Sequence, residues 1–293
     1  MQIISKEHCV YAMSAENKPA LSVEPKARLQ FETWDALQGQ ITSDSEETIN
    51  LDWNRINPAT GPVYINGAEV GDILSVKIER IDVADFGVAL CGKGMGVMGG
   101  VLQGSTAKII PIKDGLAYFS DYINIPLNKM IGVIGVAPAE GEIPCGVPDL
   151  HGGNMDYKEV KEGATILLPV NVPGALLAMG DLHAVMADGE IGVTGLEVSG
   201  SVTVTVDIIK GKHMPLPMII NETHIMTLAS DEDLDIAVEI AVANMTEYLT
   251  KFEKFTIEDA VMMISLAADV RICQVVDPKK TIRVEFPIKY LNK

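Results

Sequence analysis

The chain reads as a mainly β protein, an antiparallel β-sandwich or barrel body with a smaller C-terminal α+β appendage. Three observations predict this: apolar residues that alternate with period two, turns marked by Gly and Pro at short intervals, and helical periodicity confined to the region after residue 230. Leu74, Val76 and Ile78 alternate with Ser75, Lys77 and Glu79, and Val202, Val204, Val206 and Ile208 alternate with Thr203, Thr205 and Asp207. Successive side chains on a strand point to opposite faces, so each run presents one apolar face to a core. The chain turns at Asn66-Gly67 before the first run and at Asp114-Gly115 and Asp188-Gly189 between the two, and many short strands with frequent turns favour a sandwich or barrel.

Helix is expected late. From Ser230, with Asp233 three residues on as a capping-box-like start, Leu234, Val238, Ala241, Met245, Leu249 and Phe252 recur at helical spacing. A second helix is expected from Thr256, with Asp259 in the same relation, followed by a strand over 271–276. Residues 1–229 are therefore read as the β body and 230–293 as an appendage packed on it. No internal repeat or low-complexity tract interrupts the pattern.

Composition narrows the function. At 47% apolar and 22% charged residues the chain has the balance of an ordered globular protein. Its 23 basic and 40 acidic residues give a net charge of −17, a field that repels phosphate backbones and anionic lipid, so no nucleic acid and no membrane surface is expected as a partner. The same field enriches cations and permits a metal site. Lys6, Glu7 and His8 stand where a signal peptide would need an apolar core. The most apolar stretch, 166–180, is broken by Pro169, Asn171 and Pro173 and is shorter than the roughly 20 residues of a spanning helix. A cytoplasmic location is expected. Cys9, Cys91, Cys145 and Cys273 form no C-x-x-C pair and are read as free thiols.

The polar residues most concentrated in an apolar context are Asp149, His151, Asn154 and Asp156, then Asp181, His183, Asp188 and Glu190. Asp181 and His183 are two apart, so on an extended segment they share a face, and the turn at 188–190 can fold a further carboxylate alongside. Imidazole with carboxylate is a ligand mixture that suits zinc and related divalent ions. The same residues also suit a plain role, with Asp and Asn as turn formers and His183 as an ordinary hydrogen-bonded histidine, and spacing alone leaves both readings open. Gly94-Met95-Gly96-Val97-Met98-Gly99 spells G-x-G-x-x-G, but Gly100 and Gly104 follow, which leaves no helix start for a pyrophosphate and points to a loop or lid. No G-x-S-x-G elbow and no P-loop is present. Cys145, near Glu142 and Lys158 in sequence, is read as a buried structural thiol ahead of a nucleophile.

Two runs carry a resemblance. Pro148-Asp149-Leu150-His151-Gly152-Gly153-Asn154-Met155-Asp156 and Gly180-Asp181-Leu182-His183-Ala184, continuing to Asp188-Gly189-Glu190, resemble the HGGNxD and GDxHAxxxDGE elements of the acetamidase/formamidase family. The likeness extends to 31–36, 57–64 and 265–272, and His8 resembles the family's early histidine. The resemblance implies a mainly β body with an αβ appendage and a homodimer or higher homo-oligomer. It also implies hydrolysis of a small-molecule amide, such as formamide or acetamide, to carboxylate and ammonia. It carries the site onto Asp181, His183 and Glu190 as metal ligands, with His151 next, and onto Asp188, Asp156 and Asn154 as catalytic residues around a divalent ion, zinc first. His8 and Asp35 gain weight as further site residues. Two other readings of the same motifs are a binding protein without turnover and a structural calcium ion held by the oxygen-rich set. The chain departs from the family pattern at Met186-Ala187, where many members have Gln-Gly.

Overall fold

The computed structural model describes residues 1–44 and 51–291. It is mainly β, 42% strand and 13% helix, with several sheets and no closed barrel among the described residues. The two alternating runs seen in the sequence lie in the long strands Ile73–Val83 and Gly200–Ile209, which pair antiparallel along their whole length, Ile73 opposite Ile209 and Val83 opposite Gly200.

These two strands belong to a nine-stranded sheet. Arg28–Thr33 and the parallel edge strand Gln2–Ile4 lie beyond Gly200–Ile209, and Thr165–Pro169, Met218–Ile220, His224–Asp231, Lys280–Pro287 and Asp269–Gln274 follow on the other side. A second sheet is built around Leu177–His183. Met130–Gly135 pairs along one edge of that strand. On the other edge Ala59–Ile65 accompanies residues 177–180, and Glu197–Val198 takes over at Leu182 and His183. The change of partner falls at Asp181.

The sheets bury their facing sides against each other. Leu29, Phe31, Val76, Ile78, Val202 and Val204 of the first pack with Ile131, Ile134, Leu177, Met179 and Leu182 of the second in one apolar cluster. Alternation also serves the opposite face of the first sheet. Ile73 and Leu167 turn away from that cluster to join Ile282, Val284 and Phe286 under the two helices.

The helices are Leu234–Phe252 and Ile257–Ala267. The expected apolar stripe of the first is present, with Ala237, Ala241, Met245 and Leu249 buried on the sheet. Its start differs from the expectation: Ser230 still belongs to the strand His224–Asp231, and the cap is Asp233, whose carboxylate accepts from the amides of Asp235 and Ile236. A carboxylate at this position satisfies amides that no helical carbonyl can reach and lies at the positive end of the helix dipole. The second helix starts as expected, with the Thr256 hydroxyl accepting from the Asp259 amide. The strand expected over 271–276 runs instead as Asp269–Gln274, and the turn that follows it leads back into Lys280–Pro287 of the same sheet. Among the described residues no helix is long and apolar enough to cross a membrane.

Candidate metal centre and active site

Asp181 occupies the point where the Leu177–His183 strand changes partner, and it has a left-handed backbone, φ 56°. Left-handed geometry is uncommon for a side chain other than glycine and is best tolerated by Asp and Asn. The kink leaves Gly132 on the neighbouring strand facing the carboxylate. A Cβ at Gly132 would stand 2.5 Å from Asp156 Oδ1 and 2.7 Å from Asp181 Oδ2, so the absence of a side chain is what gives these two carboxyls room. Asp156 (φ 43°) and Glu190 (φ 45°) share the left-handed backbone. Three acidic residues in this sparse region around one centre are the kind of local strain that surrounding structure must hold in place.

The centre of the arrangement is the His183 Nε2 atom. It lies 3.1 Å from Glu197 Oε1, 3.3 Å from Asp181 Oδ1, 3.8 Å from Asp156 Oδ1 and 4.0 Å from Glu190 Oε1. Glu197 reaches it as the direct cross-strand partner of His183. The imidazole packs on Gly195, where a Cβ would sit 2.7 Å from Nδ1. All five residues are nearly removed from solvent, none more than 7% exposed.

Such a concentration of buried acid is costly unless charge is neutralised. Burial, reinforced by the charges of Asp181 and Asp277, holds the Asp156 carboxyl well above the ordinary range. Glu190 is raised by burial and by Asp156, and Glu197 is raised mainly by burial. Burial opposes charge on His183 too, but Glu197 and Asp181 outweigh it and hold the imidazole protonated far above its usual value. Burial likewise works to raise Asp181, yet the imidazolium beside it keeps it low. Without a cation the cluster balances itself with protons.

Asp156, His183 and Glu190, and separately Asp181, His183 and Glu197, each place one donor atom within 4.8 Å of the others. Donors around a tetrahedral ion with bonds of about 2.1 Å stand roughly 3.4 Å apart, close to the 3.1–4.0 Å found around Nε2. Both oxygens of Asp156 and Oε2 of Glu197 are buried with no hydrogen-bond partner. Unsatisfied buried acceptors call for an explanation, and a divalent cation supplies one. The residues fit a metal ion.

The other residues singled out in the sequence are placed as follows. Asn154 lines the cavity above the cluster, donates from Nδ2 to Asp277 (3.1 Å) and leaves Oδ1 unpaired. Asp188 does not face the cluster. Its two oxygens accept a fork of hydrogen bonds from the buried Arg283 (2.7 and 2.8 Å), and Lys158 approaches at 2.9 Å. Gly189 is bridged to Gln274, with its amide bonded to the Cys273 carbonyl and its carbonyl to the Val275 amide. The 188–190 turn is thereby tied to the last strands of the first sheet, which sets Glu190 from outside the second sheet. His151 is buried but belongs to neither donor trio, and both ring nitrogens lack partners. Burial pushes it down to about 4, against the pull of the Asp149 charge. The Asp35 carboxylate is engaged by the amides of Leu37 and Gly39, and His8 is exposed. Cys145 is buried and its thiol is pushed up to about 12 by that burial, which disfavours the thiolate a nucleophile needs. Met186 and Ala187, where the family pattern is broken, line a neighbouring apolar pocket of about 300 Å³ that shares Glu190 and Thr194 with the cavity above the cluster.

Two residues of the site carried no usable signal. Glu197 is an isolated acid in an apolar stretch, and only pairing with His183 reveals it. Asp277 enters the cavity from the turn after the last-but-one strand; burial, with the charges of Glu190 and Asp181, raises its carboxyl.

The match to known proteins covers this whole frame. Residues 14–144 and 142–292 fit the model of the Acetamidase/Formamidase family. The chain belongs to the acetamidase/formamidase family. The crystal structure of an acetamidase from Bacillus halodurans superposes with a TM-score of 0.96 at 42% identity, covering 98% of each chain. That of a protein from Thermoanaerobacter tengcongensis, described as a predicted acetamidase/formamidase, gives 0.95 at 47% identity over 98% of this chain and 95% of its own. An acetamidase of Mycolicibacterium smegmatis is 26% identical over 66% of this chain. The chain spans less than two thirds of the length of that relative (64%) and of another in Schizosaccharomyces pombe (63%).

Gly132→Ala drives a methyl into the two carboxyls and should weaken divalent-metal binding at least tenfold, in the range seen when metal ligands lose their supports, with a near-native circular dichroism spectrum. Titration calorimetry with zinc checks this. His151 gives a pH prediction. Its folded value near 4 lies below the ordinary 6.5 or so, so the unfolded chain takes up the proton first as acid is added. The folded state then loses about 3 kcal/mol as pH falls from 6.5 to 4. In denaturant titrations across that window, His151→Phe should lose that much less than the wild type.

Proposed function

We propose that the chain hydrolyses the C–N bond of linear amides to carboxylate and ammonia at the buried cluster. The observation that carries this is the convergence of Asp181, His183, Glu190 and Glu197, with Asp156 beside them, at a cavity of about 560 Å³, in a chain of a family whose named members are acetamidases and formamidases.

In this reading His183, Asp181, Glu197, Asp156 and Glu190 are the residues that would hold a divalent ion. The imidazole among the donors favours zinc over calcium, which prefers an all-oxygen shell. Lewis acidity, which acidifies water and polarises a carbonyl, is what such an ion supplies. The chain's own residues do the rest. Asn154, which lines the cavity and donates from Nδ2 to Asp277, is the side-chain amide nearest the substrate's own amide group. Asp277 faces the same space and is placed to pass a proton to the leaving nitrogen. Arg283 and Asp188 act at one remove, holding the turn that carries Glu190. A homodimer in the cytoplasm is consistent with this reading: net charge keeps the chain from anionic surfaces, and the helix Ile257–Ala267 with its neighbouring edge strand exposes Val261, Met262, Leu266 and Val270.

Purified protein should release ammonia from acetamide or formamide, lose that activity on chelation and recover it with added zinc. His183→Ala should abolish both bound metal and turnover. Full activity with unchanged metal content in that variant would remove the cluster from the reaction.

A further inference from the structure

We infer that two copies of this chain associate through the outer edge of the strand Asp269–Gln274, the two strands pairing antiparallel about a two-fold axis at Val270 while the helix Ile257–Ala267 of each copy covers the seam. This rests on the homodimer proposed above and gives it a surface and a register; it does not depend on the reaction.

The edge argues first. Asp269–Gln274 ends the nine-stranded sheet, and among the described residues no strand follows on its outer side. An open row of backbone donors and acceptors invites a further strand, and proteins blunt such edges with short strands, lysine or proline. The opposite edge of the sheet, Gln2–Ile4, has three residues, and the exposed edge Ile123–Pro126 of the other sheet ends in proline. Asp269–Gln274 has six residues with neither lysine nor proline, and its first four are exposed.

The face argues second. Val270 and Ile272 lie opposite Val284 and Ile282, so they carry the apolar face beneath the helices past the last strand. Beside them Ile257, Val261, Met262 and Leu266 of the second helix are exposed, Leu266 to 82%. At roughly 100 Å² for a side chain of this size, the six leave an apolar patch of about 300 Å², large enough to mark an interaction site. Doubled by a two-fold axis, such a patch forms the apolar centre of an interface that buries about 800 Å² on each partner.

Charge sets the register. Asp269 and Arg271 flank Val270 on the other face of the strand. With Val270 on the axis, Asp269 of each copy lies opposite Arg271 of the other, so the pair forms twice. Moving the axis to Arg271 sets the two guanidiniums against each other and brings Asp269 to Cys273, whose carbonyl already holds the Gly189 amide. Opposite charges directly across a ladder stabilise it and like charges oppose it, which matters between chains of net charge −17. The same strand leads into the site, since the Gln274 side chain accepts from the amides of Val276 and Asp277, and Asp277 lines the cavity.

Sedimentation velocity of the full chain at micromolar concentrations tests this. The wild type should be a dimer. Leu266→Glu and Arg271→Asp, both at exposed positions, should each raise the dissociation constant roughly tenfold or more with an unchanged circular dichroism spectrum. Asp269→Arg combined with Arg271→Asp should restore association to near the wild-type level, because the exchange recovers both pairs across the axis and keeps a guanidinium opposite Glu285. A dimer that resists both single substitutions lies on another surface and overturns the inference while the homodimer stands. Weakening by Arg271→Asp that the double exchange does not repair overturns the strand register. A monomeric wild type overturns the homodimer and the inference together, and leaves amide hydrolysis untouched.

Discussion

Everything in the site follows from the need to keep several carboxylates around one imidazole away from water. Asp156, Asp181, Glu190 and Glu197 are all buried against His183, and at an effective dielectric constant of about 20 two like charges 4 Å apart repel by about 4 kcal/mol. Protons can relieve this, as the raised carboxyls and charged imidazole show, but each proton silences a donor that geometry has aimed inward. A cation relieves it without that loss. The unpaired oxygens of Asp156 and Glu197 mark where such a charge belongs.

The fold meets this constraint by bringing its two sheets to one point. The central strand of the second sheet hands over from one neighbour to another at Asp181, and the resulting kink turns a carboxylate inward against Gly132, where no side chain competes for the space. The first sheet contributes from the other direction. Arg283, buried in its penultimate strand position, grips Asp188 with two hydrogen bonds, and Gln274 bridges Gly189, so Glu190 is delivered by a turn fastened at both ends. The C-terminal segment is thus part of the site's construction as well as of the core beneath the helices.

Much of the fold was legible because its signals are local. Period-two alternation located Ile73–Val83 and Gly200–Ile209, and the stripe from Leu234 to Phe252 located the first helix. The cap moved from Ser230 to Asp233 because the pairing of Ser230 opposite Thr281 extends the preceding strand, a tertiary fact that no capping rule contains. In the site, Asp181 and His183 stood out through their spacing and Asp156 and Glu190 through their motifs. Glu197 and Asp277 did not, because only strand pairing sets Glu197 opposite His183 and only a turn far along the chain brings in Asp277. Asp188 looked equivalent to Glu190 in sequence, and only the buried guanidinium of Arg283, 95 residues away, separates the one that faces the cluster from the one that holds it.

The most direct test of the account is the melting temperature of the protein stripped of metal at neutral pH, before and after zinc is added back. A ligand bound only by the folded state stabilises it by about 2.7 kcal/mol at a hundred times its dissociation constant, so the account predicts a rise of several degrees, absent in His183→Ala. An unchanged melting temperature at saturating zinc, with the stripped protein no less stable than the untreated one, would contradict the claim that this buried cluster is built to hold a cation.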